Sequence, residues 1–238
     1  MPDDTPTIGL RVVESLAAVD EAQWDACALA PGAAGSPFLS YRFLKALEDS
    51  KSVGRRTGWQ PQYLLAEAED GTLLGAAPLY VKGHSQGEYV FDHGWAQALE
   101  RAGGRYYPKL QVSVPFTPAT GPRLLIRDGV DRARIAEVLA AGLKALCNAT
   151  EASSVHATFM RETEAKSLAE HGFLIRNDQQ FHWQNDGYKT FDDFLATLNS
   201  RHRKAIKRER RDALSAGITI HWLTGDDIDE DAWDAFFT

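Results

Sequence analysis

The chain has 238 residues, 44% hydrophobic and 25% charged. That is the balance of a globular protein large enough for one sizeable core or two smaller ones. Its net charge of -7 excludes a general nucleic-acid or membrane binder, so an anionic partner must be met by a local basic patch.

Residues 1–7 read as a loose tail. The start, Met-Pro-Asp-Asp-Thr-Pro, has neither the basic nor the apolar character of a secretory leader, and no apolar run approaches the ~20 residues that cross a bilayer. Cys27 and Cys147 stand far apart, which predicts two free thiols and a cytoplasmic setting. Ile8 to Val13 alternates apolar and polar residues as a half-buried strand does. Asp20 with Gln23 resembles a capping box ahead of a helix around Trp24. Pro31 to Gly35 reads as a loop. Ser40 caps a helix carrying Phe43, Leu44 and Leu47 on one face.

Tyr63 to Ala68 and Leu73 to Val81 read as strands joined at Asp70-Gly71, a strong hairpin turn signal. A third strand is expected over Glu88 to Phe91, then a helix from Trp95 to Ala102 that ends at Gly103-Gly104. Tyr107 to Pro122, rich in Pro and Thr, reads as a loop with brief extended pieces. Asp131 to Asn148 is the clearest helix, with Ile135, Val138, Leu139, Leu143 and Leu146 at helical spacing. Val155 to Phe159 alternates as a strand, and a helix from Thr163 stops at Gly172. Phe173 to Ile175, Phe181 to Trp183 and Ile218 to Leu223 are predicted strands. Thr190 with Asp193 opens a short helix, Ser200 opens a basic helix closed by Gly217, and Asp229 caps a last one. Trp233, Phe236 and Phe237 give that last helix an apolar face and no stop signal follows, so the chain reads as a partial gene product.

The basic helix is the most informative feature. Arg201, Arg203, Lys204, Lys207, Arg208, Arg210 and Arg211 face only Glu209 and Asp212 as acids. At 100° per residue, Arg203, Lys204, Lys207, Arg210 and Arg211 share about a third of the circumference. Arg forks match phosphate oxygens and Lys adds point charge, so an anion site is expected. The plainer reading is a solvated face, but such faces normally interleave signs at i,i+4.

Ser200-Arg201-His202-Arg203-Lys204-Ala205-Ile206-Lys207-Arg208, followed by Gly217-Ile218-Thr219-Ile220, resembles the Ser-x-x-Arg-x-x-Ile segment of FemAB-like transferases, a branch of the GNAT acyltransferase superfamily. Gly75-Ala76-Ala77-Pro78-Leu79, Thr120-Gly121-Pro122-Arg123 and Leu168-Ala169-Glu170-His171-Gly172-Phe173 are similar to GNAT features at corresponding places. The closest resemblance is to a bacterial family labelled peptidoglycan biosynthesis or GNAT-like. It implies a mixed α/β fold, a mostly antiparallel sheet flanked by helices, in a truncated tandem. Residues 1–180 would form one GNAT-like domain, and 181–238 the basic helix and the start of a second. FemAB-like enzymes move an aminoacyl group from aminoacyl-tRNA to an amine of a peptidoglycan precursor. Acyl-CoA or aminoacyl-tRNA is thus the implied donor, and an anionic or nucleotide-linked molecule the implied acceptor. Arg203 matches the motif Arg that contacts substrate phosphate, with Lys204, Lys207 and Arg208 as neighbours. The acetyl-CoA loop of ordinary GNAT enzymes has its nearest counterpart in Arg101-Ala102-Gly103-Gly104-Arg105-Tyr106, which departs at the last position and follows a helix instead of opening one.

Other constellations carry less. Glu88, Asp92 and His93 lie close in sequence, and any of them can serve as the base that acyl transfer to an amine requires. Tyr106 and Tyr107 are candidate proton donors. Gly83-His84-Ser85-Gln86-Gly87 matches Gly-x-Ser-x-Gly, but a strand is expected after it where a hydrolase elbow needs a helix. The histidines stand singly and cysteines are few, so no metal site is expected. The tryptophans read as core residues or interface anchors. An acyltransferase is therefore the first expectation, a non-catalytic module binding phosphorylated ligand or tRNA the second, and a serine hydrolase the third.

Overall fold

The computed structural model describes residues 7–29, 36–179 and 181–238. In chain order the elements are β1 (Ile8–Val13), α1 (Glu21–Ala28), α2 (Tyr41–Asp49), β2 (Trp59–Pro61), β3 (Tyr63–Ala68), β4 (Leu73–Ala77), β5 (Leu79–Lys82), α3 (His93–Arg101), β6 (Lys109–Val112), β7 (Leu125–Ile126), α4 (Arg132–Ala149), β8 (Val155–Ala157), α5 (Glu162–Glu170), α6 (Phe191–Thr197), α7 (Ser200–Leu214) and α8 (Glu230–Phe237). They fall into two compact units, residues 1–177 and 178–238.

The first unit is mixed α/β with two four-stranded sheets, ordered β1-β3-β4-β7 and β2-β5-β6-β8. Among these strands the pairings are antiparallel except β6 with β8. The β3–β4 hairpin turns where expected. Gly71 takes φ +82°, and Asp70 Oδ1 accepts from Thr72 N at 2.9 Å, an Asx arrangement that holds the turn. The expected strand from Leu73 to Val81 is two strands. Pro78 has no N–H to give a ladder, so the chain passes there from one sheet to the other.

Strand β3 is buried on both faces. Tyr63 and Leu65 join a cluster with Trp24, Leu39, Leu44, Trp59 and Tyr80. Leu64 and Ala66 join one with Leu79, Leu110, Val112, Ile135, Leu139 and Leu143. Helices α1 and α2 thus contribute to one core and α4 to the other. Each fully buried Leu or Ile of α4 contributes about 1.5–3 kcal/mol. The caps follow the sequence: Asp20, Ser40 and Asp131 each accept a backbone N–H three residues on.

Several predicted elements differ. Glu88 to Phe91 is a loop, because Tyr89 adopts φ +56°, a left-handed position that interrupts extended backbone. Within Tyr107 to Pro122, the extended piece β6 is an interior strand, flanked by β5 and β8. Phe173 to Ile175, Phe181 to Trp183 and Ile218 to Leu223 form no strand. The basic helix starts after an Asn199 cap, whose Oδ1 accepts from His202 N at 3.0 Å, so Ser200 is its first helical residue. Pro31 to Gly35 and most of the N-terminal tail lie outside the described residues.

The second unit contains α6, α7 and α8. Thr190 and Asp193 form the expected capping box at α6, and Asp229 caps α8 through Ala232 N. Among the described residues no helix is long and apolar enough to cross a membrane.

Candidate functional site

The register of β5 on β6 places Lys82 directly opposite Lys109, and both side chains are fully buried. Like charges facing each other across strands are destabilising, and a buried cation needs a partner. The segment after β5 supplies two carboxylates. Lys109 Nζ donates to Glu88 Oε2 at 2.8 Å, Asp92 Oδ2 at 2.6 Å and Ser85 Oγ at 2.8 Å. Lys82 Nζ donates to the Gln86 carbonyl at 3.2 Å, lies 3.9 Å from Glu88 Oε1 and sits 3.4 Å from the Trp59 ring centroid.

Residues 85–92 therefore form a strap fixed by side chains from β2, β5 and β6. Trp59 Nε1 also donates to the Gln86 carbonyl, at 3.1 Å, and Phe116 N donates to the Gly87 carbonyl, at 3.2 Å. Gly87 has φ +77°, and a Cβ there would lie 2.6 Å from the Phe116 ring, so this position admits only glycine without rearrangement.

The cluster shifts its members in opposite directions. Burial pushes Asp92 up, but hydrogen bonds from Lys109, Ser85 and Tyr106 outweigh it and hold the carboxyl at about 2. Burial dominates at Glu88, which is raised despite Lys109, and at Lys82, which is lowered despite Glu88. Tyr106 donates to Asp92 Oδ2 at 2.8 Å. Its own phenol is raised by burial and by that carboxylate. His156 on β8, with its ring 5.9 Å from that of Tyr106, is lowered to about 4, chiefly by burial. It is held in the neutral form, which makes it a weak base.

Of the three base candidates, Glu88 and Asp92 converge on one ammonium, and both are buried. His93 is the exposed first residue of α3 and is absent from the cluster. Tyr107 meets Ser85 Oγ at 2.7 Å. Ser85 itself follows strand β5, but a loop follows it and α3 starts only at His93. Its neighbour Lys109 spends all three ammonium hydrogens on Ser85, Glu88 and Asp92, and an ammonium has no lone pair with which to take a proton. The carboxylate that Ser85 meets, Asp92, is held at about 2 and is too weak a base to activate the hydroxyl. A serine-directed fluorophosphonate is expected to leave Ser85 unmodified at neutral pH when intact-protein mass is followed. A stoichiometric adduct at Ser85 would show that the cluster does activate the hydroxyl.

Sequence reasoning missed Lys109, although Lys109-Leu110-Gln111-Val112-Ser113-Val114 carries the period-2 signal of a strand.

The four anion-site candidates lie on α7. Arg203 is half-buried and one Nη donates to the Leu198 carbonyl at 3.2 Å. Lys207 pairs with Asp192 at 3.0 Å. Lys204 and Arg208 are exposed. Arg210 lies with its guanidinium carbon 4.3 Å from the Phe191 ring centroid. Positions 203, 207 and 210 therefore face α6, while 204 and 208 face solvent. Segment 101–106 closes α3 and leads towards β6, so it opens no helix toward a pyrophosphate. Among the described residues no three His, Cys, Asp or Glu are grouped to hold a metal ion.

Solved structures similar to the chain include the aminoglycoside N-acetyltransferase AAC(6')-Iy in complex with CoA, at 11% identity and TM-score 0.45, covering 78% of this chain and 99% of that one. The aminoglycoside 6'-N-acetyltransferase AAC(6')-Ih from Acinetobacter baumannii matches at 13% identity and TM-score 0.42, covering 76% and 100%. A ribosomal-protein-alanine N-acetyltransferase from Brucella melitensis biovar Abortus 2308 matches at 13% and 0.38, covering 75% and 100%. No curated protein sequence matches the chain. Residues 15–238 match the family described as FemAB-like, peptidoglycan biosynthesis/recognition; with the match running through both units and the whole of the basic helix, the chain belongs to the FemAB-like family.

Proposed function

We propose that this protein is an N-acyltransferase that moves an acyl or aminoacyl group onto an amine of a cell-wall precursor. On this reading residues 1–180 form a GNAT-like domain and 181–238 begin a second. Family membership supports the reaction class. The observation that carries the substrate side is the face of α7. Arg203 is oriented by the Leu198 carbonyl, and Lys204 and Arg208 carry no carboxylate partner among the described residues. Lys204 and Arg208 on the solvent side are able to hold phosphate oxygens, with Arg203 and Lys207 adding positive charge from the side that faces α6. Arg203, Lys204, Lys207 and Arg208 are assigned to the phosphate of an anionic or nucleotide-linked substrate. Acyl-CoA or aminoacyl-tRNA is the donor, and the amine attacks the acyl carbonyl directly.

Glu88 and Asp92 are assigned to positioning the strap, since their bound oxygens are committed to Lys109. That commitment also favours a second reading, a non-catalytic module that keeps the fold to recognise a phosphorylated ligand or tRNA. The test is mass-spectrometric detection of acyl transfer from acetyl-CoA and from aminoacyl-tRNA to a panel of amines. Transfer is expected, and Arg203→Ala is expected to lower kcat/KM by about 10–100-fold, the loss of a charge-assisted phosphate contact. Retained ligand binding with no transfer to any acceptor would establish the binding module instead.

A further inference from the structure

The second unit holds an aromatic site that neither the family match nor the basic helix accounts for. Trp183, Tyr188 and Phe194 form three walls. The Trp183 and Tyr188 rings stack at 6.3 Å with 27° between their planes. Phe194 stands edge-on to both, at 87° and 69°, with centroids 6.2 and 5.7 Å away. Phe191 extends this wall at 5.7 Å from Phe194. Together with Asn185, Lys189 and Thr190 these residues line a cavity of about 480 Å³. Trp183 remains 67% exposed. A large aromatic ring left open beside a cavity is a surface for stacking, since burying it is favourable and the described residues of its own unit, Tyr188 and Phe194 included, cover it only in part.

The charge around the cavity selects the occupant. Two carboxylates are near, and both are spent. Asp193 accepts from Lys189 N at 3.0 Å and Thr190 N at 2.8 Å, and Asp192 pairs with Lys207. Asp186 lies on the exposed turn before Tyr188 and does not line the cavity. Lys189 does line it, and Arg210 lies over the lining ring of Phe191. Neither cation has a carboxylate partner among the described residues. An ammonium ligand would be drawn to the ring faces, but here it would meet the like charge of Lys189 and Arg210. A flat neutral ring joined to an anion is the complementary ligand.

We propose that the Trp183–Tyr188–Phe194 box binds the nucleobase of a nucleoside phosphate, with the phosphate held by Lys189 and Arg210. This deepens the transfer reading and rests on it for the ligand's role, because it assigns the base of a nucleotide-bearing substrate to a place beside the phosphate-binding helix. The nucleotide of CoA, the 3' end of tRNA and a nucleotide-linked sugar share this chemistry.

The experiment is an isothermal titration calorimetry series, whose readout does not depend on Trp183, with adenosine 3',5'-bisphosphate, the trinucleotide CCA and UMP, and with ribose 5-phosphate as the ligand lacking a base. All three base-bearing probes are expected to bind more tightly than ribose 5-phosphate, and the tightest identifies the source. Trp183→Ala is expected to weaken the tightest by about tenfold or more, as loss of one base–aromatic stack does, while Trp183→Phe keeps most of the affinity. Lys189→Ala is expected to flatten the salt dependence of binding. Because Trp183 is largely exposed, its removal leaves the fold intact, and unchanged circular dichroism checks this. Equal binding of ribose 5-phosphate and the base-bearing probes, or full affinity in Trp183→Ala, would overturn the proposal. The readout is binding, so it is separable from turnover. Nucleotide binding without acyl transfer refutes the transfer reading alone, and acyl transfer indifferent to Trp183→Ala refutes the box alone.

Discussion

Replacing Lys109 by methionine is expected to destabilise the first unit by about 3–5 kcal/mol, because it leaves two buried carboxylates without their cation. At about 2–4 °C per kcal/mol for a unit of this size, the melting transition drops by roughly 10 °C. Methionine fills much of the lysine volume, so the loss is electrostatic and not a cavity. The triple variant Lys109→Met, Glu88→Gln, Asp92→Asn is then expected to regain at least half of the loss, since neutral amides remove the orphaned charge. The pH dependence gives a second readout. Asp92 titrates at about 2 in the fold against an ordinary 3.8. As pH falls, the unfolded chain takes up this proton first. The contribution is complete above about pH 4 and is lost as pH drops toward 2. Lys109→Met should flatten that acid limb. A variant that melts within a degree or two of the parent would show that Lys109 does not hold the strap.

The same cluster shows where sequence reasoning succeeds and where it stops. Helix starts were legible at Asp20, Ser40, Asp131, Thr190 and Asp229, because a cap and its N–H partner lie within three residues of each other. The Asp70-Gly71 hairpin was legible for the same local reason. The Lys109 site was not, since its partners lie 17 to 24 residues upstream in a loop, and no local pattern announces which cation a carboxylate will meet. The false strands fail for a related reason. Leu174, Phe181 and Trp222 have the apolar character of strand residues, yet they are among the most exposed side chains in the chain. Strand propensity is realised only where a neighbouring strand accepts the ladder. The basic helix was legible in sequence as a charge pattern. Its division into Arg203, Lys207 and Arg210 facing α6 and Lys204 and Arg208 facing solvent needed the partners Leu198, Asp192 and Phe191. The aromatic box escaped notice because Trp183 resembles a core residue until its exposure is known.

The Thr120-Gly121-Pro122-Arg123 loop, first a point of family resemblance, has a structural reason for its arginine. Arg123 is almost fully buried, and its guanidinium donates to the carbonyls of Thr158 at 2.7 Å, Ala119 at 2.8 Å and Pro122 at 3.0 Å. Burial lowers it to about 10, so it stays charged at neutral pH. Glu164, in the first turn of α5, accepts the backbone N–H of Arg123 and of Leu124. The two side chains clip the β6–β7 connection to the end of β8 and the start of α5. Arg123→Met should leave three buried carbonyls without a donor and cost about 3–5 kcal/mol, near the upper end of single-substitution effects. Glu164→Gln keeps one acceptor oxygen and turns an amide toward two N–H groups, for about 1–2 kcal/mol. Because both act on one turn, the double variant should lose about 1 kcal/mol less than the separate losses combined. Urea denaturation of the four proteins measures this coupling. Strict additivity would mean that Arg123 and Glu164 hold the turn independently, and a near-neutral Arg123→Met would mean that its carbonyl partners are met by water.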